Sequence, residues 1–219
     1  MSFNNLNLSE PILKALHSKG YVTPTPIQKE AIPPIIARKD VIGSAQTGTG
    51  KTAAFCIPIL ELLSKGQHKK GIKALILTPT RELAIQISDN LNLYGKNLPL
   101  RHTLIYGGVS QNQQVQQVRR GADIVVATPG RLLDLMNQGH VHLGNLEILV
   151  LDEADRMLDM GFIHDIKKVI AKTPQNRQNL FFSATMPNEI RKLINSIMRN
   201  PVHINVKGTA ESKADIDQY

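Results

Sequence analysis

The chain has 219 residues, 42% of them hydrophobic and 20% charged, a balance that excludes a disordered polymer and suits one large α/β domain with a buried core. No apolar stretch approaches the roughly 20 residues of a membrane-spanning helix, no signal peptide is evident, and the single Cys56 excludes an internal disulfide. A soluble, cytoplasmic protein without membrane contact is therefore expected.

The net charge is +8, from 26 basic and 18 acidic residues. That excess favours a polyanionic partner without requiring one. The basic residues are scattered, so any patch must be assembled by folding. Aromatic residues make up only 4% and there is no Trp, which argues against stacking platforms and for a grip on phosphates. The seven His show no ligand spacing with Cys, so no structural metal is expected.

In chain order, residues 1–38 read as a helical preface, with Ser9 and Pro11 marking a helix start. The short strand Val41-Ile42 leads into the turn Ala45-Gln46-Thr47-Gly48-Thr49-Gly50-Lys51-Thr52, and Ala53 to Ile57 begin a helix. Strand, glycine-rich turn and helix form the context of a phosphate loop. Its glycines let backbone N–H groups turn toward phosphate oxygens, and the helix N-terminus adds partial positive charge. Lys51 would reach the β- and γ-phosphates, and the Thr52 hydroxyl would ligate Mg²⁺.

Further apolar segments follow at 74–77, 102–106, 124–127, 148–151, 180–182 and 202–206, with helical patterns between them such as Glu82 to Leu93. This alternation predicts an α/β fold with a mainly parallel, twisted sheet and helices on both faces. Nearly every strand ends in a polar or Gly/Pro-bearing string, and in a parallel sheet those strings share one edge. After Ile148-Leu149-Val150-Leu151 comes Asp152-Glu153-Ala154-Asp155. Carboxylates so crowded repel one another and favour a cation, for which a magnesium-nucleotide complex is the candidate. Residues 207–217 are polar and lack periodicity, as a linker or tail would.

Together these strings resemble the N-terminal RecA-like domain of the DEAD-box ATP-dependent RNA helicases. The resemblance runs through Phe3, the segment Gly20 to Gln28, the phosphate loop with Ala45 in first place, Pro79-Thr80-Arg81, Gly107-Gly108, Thr128-Pro129-Gly130-Arg131, Asp152 to Asp155, and Ser183-Ala184-Thr185. It implies ATP and Mg²⁺ as cofactors and RNA as partner. Gln28 would read adenine, helped by Tyr21, Thr23 and stacking from Phe3. Asp152 would hold Mg²⁺ through water, Glu153 would position the attacking water, and Asp155 would couple to Ser183 and Thr185. Pro79, Thr80, Arg81, Gly107, Gly108, Thr128, Pro129, Gly130 and Arg131 would track an RNA backbone without reading its bases.

The resemblance further implies that residues 39–206 form the ATP-binding domain, that 207–219 begin an interdomain linker, and that a second RecA-like domain carries the rest of the active site. Little hydrolysis is expected from such a piece alone. Two other readings stay open: a nucleotide-dependent RNA clamp or scaffold without productive unwinding, and a DNA-directed P-loop ATPase.

Overall fold

Strands β1 (Val41–Ser44), β2 (Ala74–Leu77), β3 (His102–Ile105), β4 (Ile124–Ala127), β5 (Ile148–Asp152), β6 (Gln178–Ser183) and β7 (Val202–Asn205) form one parallel sheet in the order β3-β4-β2-β5-β6-β1-β7. The computed structural model describes residues 2–46, 48–66 and 70–206. The expected linker at 207–219 lies outside them.

Parallel strands buried on both faces should be apolar throughout, and β2 and β4 are, as is β5 up to its terminal Asp152. Their side chains alternate between two cores. Ala74, Ile76, Ile148, Val150, Leu180 and Phe182 face one side. Leu75, Leu77, Leu149, Leu151 and Phe181 face the other.

On the first face lie α1 (Glu10–His17), α2 (Pro26–Ile36), α3 (Lys51–Lys65) and α4 (Arg81–Gly95). The second is covered by α5 (Gln111–Arg119), α6 (Pro129–Asn137), α7 (Ala154–Asp159), α8 (Ile163–Ala171) and α9 (Asn188–Ile197). No helix among the described residues is long and apolar enough to cross a membrane.

The preface opens with a 3-10 turn, Phe3–Leu6, before its two α-helices. Ser9 does precede α1, but its hydroxyl does not cap that helix. Instead, its N–H and O–H donate to the buried Glu61 carboxylate on α3, at 2.9 and 2.7 Å. The preface is thus tied to the helix that follows the phosphate loop. At Gly43 in β1, a Cβ would meet the Phe182 ring at 2.5 Å, so only glycine lets β6 pack this closely.

Candidate active site

The strand order sorts the carboxyl-edge loops into two neighbouring groups. β5, β6 and β1 are adjacent, which brings together Asp152 to Asp155, Ser183 to Thr185 and the phosphate loop. β3, β4 and β2 are also adjacent, and they carry Gly107-Gly108, Thr128 to Arg131 and Pro79 to Arg81.

In the first group, Gly50 caps α3 with φ at 93°, a left-handed conformation that favours glycine. Lys51 is buried, and its ammonium donates to the Ala45 carbonyl at 2.9 Å. The Thr49 hydroxyl donates to the Gln46 carbonyl at 2.7 Å. The loop is therefore closed by its own carbonyls. Ala45 is buried, Gln46 and Gly48 are exposed, and Thr52 is half-buried. Thr47 lies outside the described residues.

Gln28 sits in the first turn of α2, where its Oε1 accepts the Thr25 N–H at 3.0 Å and completes a capping box. Its Nε2 donates to the Gly50 carbonyl at 3.2 Å. The carboxamide keeps one N–H and one lone pair for a base edge. Tyr21 and Thr23 are exposed, as a nucleotide contact requires.

Phe3 is a correction. It is 2% exposed inside the core with Ile27, so its ring has no open face for a base. Its N–H donates to the Val22 carbonyl at 3.3 Å, which anchors the segment bearing Tyr21.

The three carboxylates do not converge on one cation, contrary to the reading of the cluster by itself. Asp152 ends β5, 5% exposed, with Oδ1 buried and without a hydrogen-bond partner. Burial pushes its carboxyl up to about 7, Lys51 partly offsets this, and Glu153 adds to it. Such an orphaned oxygen suits a cation, so Asp152 with Thr52 fits Mg²⁺. Among the described residues, no three His, Cys, Asp or Glu side chains gather into a metal centre.

Glu153 is left-handed, with φ at 50°, which turns the chain sharply between β5 and α7. Holding a non-glycine residue there costs on the order of 1 kcal/mol. Its carboxylate lies 3.4 Å from the Arg156 guanidinium. Asp155 points the other way. Its Oδ2 accepts the Thr185 N–H at 2.9 Å and the Thr185 hydroxyl at 2.8 Å, while its own N–H donates to Ser183 Oγ at 3.2 Å. Burial raises the Asp155 carboxyl, but the hydrogen bonds from Ser183 and Thr185 outweigh it and hold the group below its usual range.

In the second group, Thr80 caps α4 by accepting the Leu83 N–H at 3.3 Å. Arg81 is exposed, its guanidinium 5.2 Å above the Tyr106 ring. Gly107 and Gly108 are exposed, Thr128 and Gly130 are half-buried. Arg131 donates to the Val109 carbonyl at 3.0 Å and so also braces the glycine loop. Pro79 and Pro129 are buried, so they shape turns and do not present a contact surface.

Sequence reasoning missed three participants. Tyr106 supports Arg81. Gln114 grips the Tyr106 backbone, its Oε1 accepting the N–H at 3.3 Å and its Nε2 donating to the carbonyl at 3.0 Å. Arg156 pairs with Glu153. Only the i,i+3 spacing of Glu153 and Arg156 was visible in the sequence.

The DEAD/DEAH box helicase family model matches residues 25–193. The chain is 45% identical over 219 residues to the DEAD-box ATP-dependent RNA helicase CshA of Streptococcus pneumoniae, covering all of this chain and 41% of that protein. It is 44% identical to RhpA of Helicobacter pylori, covering 99% of this chain and 44% of that one. The chain thus spans less than half the length of these curated relatives. Among solved structures, a DEAD box protein from Methanococcus jannaschii superposes with a TM-score of 0.89 at 44% identity, covering 94% of this chain and 56% of that one.

Proposed function

The chain belongs to the DEAD/DEAH box helicase family, and from that premise we propose that it supplies the ATP-binding half of an RNA helicase, with its partner surfaces on one sheet edge. The observation that carries this reading is the adjacency of β5, β6 and β1, which sets Lys51, Asp152 and the Asp155–Thr185 contact side by side.

In this reading, Lys51 leaves the Ala45 carbonyl for the β- and γ-phosphates, and the α3 N-terminus receives phosphate oxygens. Thr52, and Asp152 through water, would hold Mg²⁺, which would supply positive charge against the phosphates. Glu153, on its sharp turn, orients the attacking water. Gln28 senses adenine with the free N–H and lone pair of its carboxamide, while its other N–H holds Gly50 and its oxygen holds Thr25. Arg81, the glycine loop and the α4 and α6 N-termini hold an RNA backbone. Asp155 transmits between the acidic turn and Ser183-Ala184-Thr185.

The chain covers 41% of CshA's length, and in this reading residues beyond that share complete the site, so the chain alone binds adenine nucleotide weakly and hydrolyses it negligibly. An arginine finger from a second wall is worth about 10³–10⁵ in rate in related phosphoryl-transfer systems. The test is Glu153→Gln in a two-domain protein that contains this chain. Nucleotide affinity should persist while turnover collapses; near-normal turnover would remove Glu153 from its role. Robust RNA-stimulated hydrolysis by residues 1–219 would equally overturn the assignment of half a site.

A further inference from the structure

The opposite, amino edge of the sheet carries a feature that the proposed function does not use. Where β6, β1 and β7 begin, three adjoining cavities of about 360, 500 and 300 Å³ share Arg177 in their walls. The lining of the largest includes Arg38, Lys39, Asp40, Arg177, Arg199 and Val202.

Cations outnumber anions there. Arg38 pairs with Glu147 at 3.3 Å. The other carboxylate, Asp40, is buried and occupied: it accepts the backbone N–H groups of Asn179 at 2.7 Å and Arg199 at 2.9 Å. Among the described residues, Lys39, Arg177 and Arg199 make no ion pair. The Arg177 guanidinium is half-buried, and its Nε is enclosed without a hydrogen-bond partner. Burial lowers its affinity for the proton, which Asp40 partly restores. Its Nη1 donates to the Pro174 carbonyl, and a half-buried guanidinium with no carboxylate paired to it favours an anion.

The backbone is also unusual at this place. Four non-glycine residues among those described have positive φ, and two of them, Arg38 at 59° and Asn200 at 44°, line this cleft. Arg38 holds the position after the α2 C-cap where glycine is common, with Lys39 N–H donating to the Pro34 carbonyl at 3.0 Å. Like Glu153, it is a side chain retained at a backbone cost.

We propose that this cleft is a second anion-binding surface that takes the phosphodiester backbone of an RNA segment. Three cavities with Arg177 in each of their walls suit a chain of phosphates better than a single ion. Half-buried Ile170, Ile197, Met198 and Val202 also line the cleft's walls. The identity of the polymer rests on the RNA-directed reading above; the anion chemistry does not.

The test uses the full chain, a labelled single-stranded RNA and binding isotherms across a salt series. Lys39→Gln with Arg199→Gln alters two exposed side chains, and their fold is checked by circular dichroism. Removing two phosphate contacts should lower the slope of log affinity against log salt by about 1.4. An unchanged slope in this variant, with a reduced slope in Arg81→Gln/Arg131→Gln, would overturn the cleft and leave the proposed function standing. Flat responses in both variants would instead overturn the RNA-directed reading. Inorganic pyrophosphate is then titrated while the Arg177 Nε–H resonance is followed. A shift in wild type that is lost in Lys39→Gln/Arg199→Gln supports the anion surface, and no shift overturns it. Tighter binding of an oligoglutamate than of RNA of equal length would overturn the assignment to RNA.

Discussion

The Gln28 side-chain nitrogen donates to the Gly50 carbonyl at 3.2 Å, fastening the first turn of α2 to the last residue of the phosphate loop before α3. A group proposed to sense the base is therefore in contact with the backbone proposed to hold the phosphates. Gln28→Glu keeps the shape but sets a carboxylate oxygen against a carbonyl oxygen. Nucleotide affinity should fall about tenfold or more, corresponding to loss of a hydrogen bond worth about 1–2 kcal/mol. Isothermal titration calorimetry checks this, and unchanged affinity would dissociate the contact from binding.

Asp152 should make stability fall as pH rises. Its carboxyl is pushed up to about 7 by burial, so across the window from its unfolded value to about 7 the native state holds a proton that the unfolded chain has released. Its contribution is present at low pH and is lost as pH rises, at up to about 1.4 kcal/mol per unit. Asp152→Asn should flatten that slope in urea titrations between pH 5 and 8. A divalent cation competes with the same proton, so its affinity should rise up to about tenfold per pH unit and level off once Asp152 is ionised.

The Asp155–Thr185 contact has the opposite sign. Its hydrogen bonds hold the carboxyl low, so its stabilisation is present above the ordinary carboxylate range and disappears as pH falls through the lowered value. Thr185→Val removes the hydroxyl donor and keeps the backbone one. The Asp155 carboxyl should titrate at higher pH by carbon-detected NMR, with a cost of about 1 kcal/mol at neutral pH. An unmoved titration would show that Thr185 does not hold Asp155.

Glu61 ties the preface to α3. Burial would raise its carboxyl, but Lys65 and Ser9 outweigh that and lower it, so this tie is also lost in acid. Glu61→Ala leaves the Ser9 donors without their acceptor and removes the partner of Lys65. The expected loss is about 3 kcal/mol by chemical denaturation. Because α3 begins at Lys51, nucleotide affinity should weaken as well. A loss below about 1 kcal/mol would mean that the preface docks through its apolar face alone.

Much of the fold was legible because its signals are local. Leu75 and Leu77, or Leu149 and Leu151, are apolar beside apolar neighbours, since parallel strands are buried on both faces. The phosphate loop was readable because glycine must stand where the backbone turns left-handed, as at Gly50. Phe3 was misassigned because sequence cannot distinguish an aromatic ring that stacks on a ligand from one that fills a core. The acidic cluster was misread as one cation site until the resemblance divided it, because four residues reveal nothing of the left-handed turn at Glu153.

The sequence by itself determined the elements, their parallel character and the chemistry of each loop, because these depend on periodicity and turn preferences within a few residues. The tertiary structure alone decided which loops become neighbours. The order β3-β4-β2-β5-β6-β1-β7 follows from long-range packing of crossover helices, and no local pattern encodes it. That order sets Lys51 near the acidic turn, gives Asp155 its partner Thr185, and gathers Lys39, Arg177 and Arg199 from distant segments at the opposite edge. Charges that are scattered along the chain become a surface only when burial of the apolar strands fixes where their ends lie.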